Sequence, residues 1–178
     1  MIKTDLKTKS LLESVYLDTG KRLLQLTDKG GKPIMQAIDL WNNQWQYLDK
    51  EKPFNFPCVF IEFVSIPWTQ LGMRGQQGTV TINLHIGSKC SAPSRLGHEL
   101  STKWLEHLRV IDAIHHVLSG WGSETGYMSS FTRTASSHDH DHDDIIAHVE
   151  TYRVTVKDAS AMATYIKKDG DLFVLDLE

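Results

Sequence analysis

Apolar and polar positions alternate most cleanly in the middle of the chain. Over Gly78-Thr79-Val80-Thr81-Ile82-Asn83-Leu84-His85-Ile86-Gly87 the period is two. That pattern predicts a strand with Val80, Ile82, Leu84 and Ile86 on a core and Thr79, Thr81, Asn83 and His85 facing something polar. Pro57-Cys58-Val59-Phe60-Ile61-Glu62-Phe63-Val64 reads as a second, more apolar strand. Ser65 to Gln77, with Pro67, Gly72 and Gly75, reads as a long loop joining the two, and long ordered loops are more often functional than decorative.

A period near 3.6 marks two helices. Ser10-Leu11-Leu12-Glu13 has the form of a capping box, and Leu12, Tyr16, Leu23 and Leu26 keep a helical spacing up to Gly30-Gly31, so a helix is expected over residues 10 to 28, with Gly20 as a point where it could split. Leu100, Trp104, Leu108, Ile111, His115 and Leu118 set the stripe of a longer helix over 96 to 118, stopped by Gly120 and Gly122. Residues 34 to 41 are short and β-compatible, a strand or a helix end, and Asp49 to Pro53 is a polar surface link. Tyr127 to Ala135 and Ile145 to Val156 have strand composition and are joined by residues 136 to 144 as a hairpin tip. The expected fold is α+β: a single domain over 1–178, built on a mainly antiparallel sheet with two helices packed against it, and a C-terminal extension over 161–178 that adds a short strand pair.

Composition narrows the function. The 178 residues carry 19 Lys plus Arg against 22 Asp plus Glu, for a net charge of −3. This balance gives no basis for non-specific duplex binding, and no specific nucleic-acid binding is expected. Cys58 and Cys90 suit a reducing interior rather than a disulfide framework, and the N-terminus has no apolar leader pattern. The apolar stretch from Phe54 to Trp68 is interrupted by Glu62 and proline and is shorter than the roughly 18 residues of a membrane span, so no membrane partner is expected.

Chemistry-bearing residues concentrate in His138-Asp139-His140-Asp141-His142-Asp143-Asp144. In an extended segment His138, His140 and His142 would share one side, which makes them the candidate metal ligands. A contiguous string at a hairpin tip lacks ligands from separate elements, however, and alternating charge also keeps an exposed tip soluble. His115 and His116 point about 100° apart on a helix and do not share a face, so His115 reads as a core or interface histidine. Neither cysteine lies in an activating motif, there is no nucleophile elbow, and Gly72 to Gly78 lacks the Lys-Ser/Thr ending of a phosphate loop. No catalytic residue and no cofactor follows from the sequence. Trp68, Met73, Arg74 and Gln76 instead have the character of a protein interface, whereas Trp41 and Trp121 suit either an interface or the end of a core.

The ordered set of an N-terminal helix, Ile38-Asp39-Leu40-Trp41-Asn42-Asn43-Gln44, Pro53-Phe54 followed by Pro57-Cys58-Val59-Phe60-Ile61-Glu62-Phe63, Gln77 to Ile86, Ile111 to Gly120 and an acidic, histidine-containing strand pair resembles the tail terminator (tail completion, minor tail) proteins of long-tailed bacteriophages. The resemblance implies a hexameric ring that caps the tail tube, ends its polymerisation and presents a surface to the head connector. The implied partners are further copies of the chain, the tail tube protein and the head-tail connector protein, with DNA passing through the ring. The implied location is the virion tail, assembled in the bacterial host cytoplasm. The alternatives are a small metal-dependent hydrolase using residues 138–144 and a non-catalytic interaction module.

Overall fold

The computed structural model describes residues 9–47, 54–72, 74–89, 102–139 and 145–161, together with the backbone of 164–168 and 171–175. Helix α1 (Leu11–Leu24) opens on the expected capping box. The Ser10 hydroxyl accepts from the Glu13 amide at 3.1 Å, and the Glu13 carboxylate accepts from the Ser10 amide at 3.3 Å, so two amides that the first turn cannot satisfy find partners. Gly20 does not split the helix, which runs unbroken through it. The helix stops four residues short of position 28, where Thr27 instead bridges to Pro33.

Strand β1 (Ala37–Leu40) runs parallel to β2 (Cys58–Ser65), so the middle of the 34 to 41 segment is a strand and not a helix end, and a single 3-10 turn follows at Gln44–Tyr47. The long loop of the sequence reading is itself a strand, β3 (Trp68–Gly72), folded back on the start of β4 (Gly75–Lys89). Every residue of β3 is exposed. With neither face buried, no alternation of apolar and polar residues is required, and the strand leaves no period-two signature.

After α2 (Thr102–Leu118) come β5 (Thr132–Asp139) and β6 (Ile145–Asp158), and then β7 (Thr164–Lys168) and β8 (Asp171–Leu175), which pair with each other in a separate antiparallel sheet. Residues 96 to 101 of the expected second helix lie outside the described residues. The main sheet has the order β1-β2-β4-β6-β5, all antiparallel except β1 with β2. The protein is thus α+β, one mainly antiparallel sheet with two helices packed on it.

The two helices share one face of the sheet. Val15 and Leu23 of α1 and Ile111, Ile114 and Leu118 of α2 pack with Val59, Ile61, Val80, Ile82, Leu84, Ile86, Tyr152, Val154 and Val156 into the main core. Each such aliphatic side chain, removed from water, contributes on the order of 1.5–3 kcal/mol. The inward positions of β4 are those its alternation predicts. The other face is covered at one end by a smaller, aromatic core in which Trp45, Cys58, Phe60, Ile145 and Ala147 are buried and Trp41, Phe54 and Phe56 pack against them.

The stripe of α2 differs from the sequence reading. His107, Ile111, Ile114 and Leu118 are the buried positions, whereas Leu108 is 47% exposed. The turn of α2 that carries His107 reaches a polar part of the sheet, so tertiary context rather than hydrophobicity selects its inner face.

Candidate functional site

Two arrangements stand out, a hairpin with an exposed strand and a buried polar cluster. The hairpin joins β3 to β4 through the Gly72–Gly75 pair. Gly72 (φ 93°) and Arg74 (φ 65°) take left-handed conformations that make the tight reversal possible. Trp68 lies opposite Gly78, where a Cβ would come within 2.8 Å of the indole and 2.9 Å of Ile66, so a glycine is needed for the ring to approach. The indole nevertheless remains 40% exposed, and Leu71, which the sequence reading did not single out, is 57% exposed. The Gln76 amide donates to the Gln70 side-chain oxygen at 3.3 Å across the ladder. Of the four interface candidates, Trp68, Arg74 and Gln76 thus belong to one hairpin, and Met73 lies outside the described residues.

His138 is not part of a hairpin tip. It sits inside β5, directly across from His148 of β6, because the ladder continues to Asp139. His140 and His142 lie outside the described residues. The Nδ1 atoms of His138 and His148 are 3.3 Å apart. His148 Nε2 donates to Glu150 Oε1 at 2.8 Å, and Arg133 Nη1 donates to Glu150 Oε2 at 3.2 Å. Glu150 is 1% exposed, a buried carboxylate held by two donors.

His107 of α2 covers the same region. Its Nδ1 is 2.8 Å from the Ser88 hydroxyl, its ring centroid is 6.3 Å from that of His148, and its Nε2 is buried without a partner. Burial pushes the His107 pKa from 6.5 down to about 4, with the neighbouring His148 and His138 acting in the same direction. Further along the sheet, burial and the Glu150 charge push the Tyr152 phenol upward, and its hydroxyl lies 3.3 Å from His115 Nδ1. His115 is therefore the partnered, half-buried histidine expected of that position. No sequence pattern ties His107, Arg133, His148 and Glu150 together, since only the pairing of β5 with β6 and the docking of α2 assemble them.

Cys58 is fully buried beneath the aromatic core, and burial raises its thiol pKa, which leaves no thiolate for nucleophilic chemistry. Cys90 lies outside the described residues. Trp41 packs into the aromatic core, and Trp121 is stacked on Phe131 with the Arg22 guanidinium 5.6 Å from its ring centroid, so both close the ends of cores. Among the described residues there is no group of three or more His, Cys, Asp or Glu able to hold a metal ion, and no helix long and apolar enough to cross a membrane.

No family model and no curated protein matches the sequence. Among solved structures the fold is similar to that of a chain from the virion of a native gene transfer agent particle, with a TM-score of 0.51 and 9% identity, covering 84% of this chain and 100% of that one. At that identity the likeness is one of fold.

Proposed function

We propose that this chain is a structural protein of a phage or prophage virion. Its role in this reading is that of a tail terminator, which caps the tail tube, ends tube polymerisation and forms the surface that meets the head connector. The observation that carries the reading is the fold shared with a virion chain over that chain's entire length. The order of motifs from the N-terminal helix to the histidine-containing strand pair supports the same assignment independently. Residues 1–178 then form one terminator-like domain, with 161–178 as its extension.

The proposed assembly is a hexameric ring, which needs one patch to meet a different patch on the next copy. The β3–β4 hairpin supplies such a patch, with Trp68 and Leu71 exposed beside Arg74 and Gln76, and Met73 next to them in sequence. The tail tube protein and the connector are the further partners, and the virion tail, put together in the host cytoplasm, is the place of action. The role asks for no catalytic group.

Native mass spectrometry of untagged protein tests the proposal, alone and with tube protein. A sixfold mass in either sample, lost in Leu71→Asp while the monomer keeps its melting temperature, is the expected result. A monomer in both samples overturns the ring.

A further inference from the structure

We infer that the cross-strand pair His138 and His148 is a binding site for a single divalent transition-metal ion of the zinc class, clipping the edge strand β5 to β6. The argument begins with tautomers. Glu150 is a buried carboxylate and accepts from His148 Nε2 at 2.8 Å, which leaves the lone pair of a neutral His148 on Nδ1. That lone pair is directed to His138, whose own Nδ1 is 3.3 Å away.

With the His138 proton on Nδ1 this separation is that of an N–H···N hydrogen bond to His148, and with the proton on Nε2 both Nδ1 atoms offer lone pairs across it. It is then also the separation of two ligands on one tetrahedral ion. With zinc–nitrogen bonds of about 2.05 Å, two nitrogens at the tetrahedral angle lie about 3.3 Å apart. The surroundings have the layered order of a metal site. Glu150 orients the ligating ring of His148, and Arg133 in turn holds Glu150, the carboxylate–histidine–metal arrangement that fixes a ligand's rotation and tautomer.

Access and ligand type agree with this assignment. His138 is exposed and His148 is buried, so an ion reaches the pair from the solvent side of β5 and completes its shell with water. His107, the third ring of the cluster, has its Nδ1 on the Ser88 hydroxyl and its centroid 6.3 Å from that of His148, outside the pair. Two imidazoles select zinc, nickel or copper over magnesium or calcium.

The test is a titration of the full chain with zinc chloride at neutral pH, read by calorimetry and by long-range proton–nitrogen spectra of the imidazoles. The expected result is one ion per chain with the Nδ1 signals of His138 and His148 shifted and their Nε2 signals still protonated. His138→Ala, an exposed position whose loss leaves the fold intact, weakens binding about tenfold or more, while a His140→Ala/His142→Ala pair binds as the parent does. No binding, unchanged affinity in His138→Ala, loss of binding in the His140/His142 pair, or a shift at Nε2 each overturns the site, and the last two mark an adventitious ion on the histidine string.

Discussion

The imidazole of His85 lies flat on the indole of Trp41, with ring centroids 3.9 Å apart and planes within 6° of parallel. The contact joins the aromatic core on the open face of the sheet to a polar chain beside it. His85 Nε2 is 2.9 Å from a Glu62 carboxylate oxygen, which also accepts from Asn83 at 3.1 Å, and Asn83 in turn accepts from the Thr151 hydroxyl at 2.8 Å. Trp41 shields one side of this chain while packing near Trp45 and Phe60. Trp41→Ala is expected to lower unfolding stability by about 2 kcal/mol, through lost area and ring contacts at a half-buried site. Urea titration followed by circular dichroism measures it, and an unchanged midpoint would remove Trp41 from the core.

Titration of His107 makes stability pH-dependent in a known direction. The folded protein holds the residue neutral down to about pH 4, whereas the unfolded chain protonates it near 6.5. The unfolded state therefore takes up more protons between those values, and stability falls as the pH drops through that window. From this residue alone the loss between about pH 7.5 and pH 5 is on the order of 2 kcal/mol. His107→Gln removes that part of the slope, so comparing urea midpoints of the two proteins at both pH values gives the check.

What the sequence revealed and what it hid follow from which faces are buried. The strand with Val80, Ile82, Leu84 and Ile86 was legible because one face meets the helices and the other meets Glu62 and Thr151, so the period is two. The capping box was legible because it is a local bond between Ser10 and Glu13. β3 and most of β5 are exposed on both faces, and exposed strands place no demand on hydrophobicity. The inner face of α2 was misplaced at Leu108 because the sheet beneath His107 offers Ser88 and His148 instead of aliphatic partners. The buried cluster was hidden for the same reason: its four elements meet only in the folded chain.

Two glycines respond to alanine in opposite directions. At Gly20, inside α1, the added methyl carbon would sit 3.8 Å from Ile38, an ordinary contact, so Gly20→Ala is expected to stabilise by about 0.5–1 kcal/mol through helix propensity. At Gly87 the methyl would collide with the Trp45 ring and lie 3.1 Å from Cys58 Sγ, inside a packed aromatic core. Gly87→Ala is expected to destabilise by about 1–3 kcal/mol, with quenched or shifted tryptophan fluorescence as Trp45 moves. Thermal melts of the two variants, shifted in opposite senses from the parent, decide the point.

The buried carboxylate of Glu150 is stabilised jointly by Arg133 and His148, and the two donors take separate oxygens. Arg133→Ala removes the donor to Glu150 that stays charged at every pH, leaving one oxygen of a 1% exposed carboxylate without it. The expected loss is about 2–3 kcal/mol, most of it the cost of the abandoned charge rather than the worth of the contact. Glu150→Gln keeps the shape and removes the charge, so in its presence Arg133→Ala should cost far less. A double-mutant cycle in urea is expected to give a coupling of about 1–2 kcal/mol. Strict additivity would show that Arg133 acts through packing along β5 and not through the carboxylate.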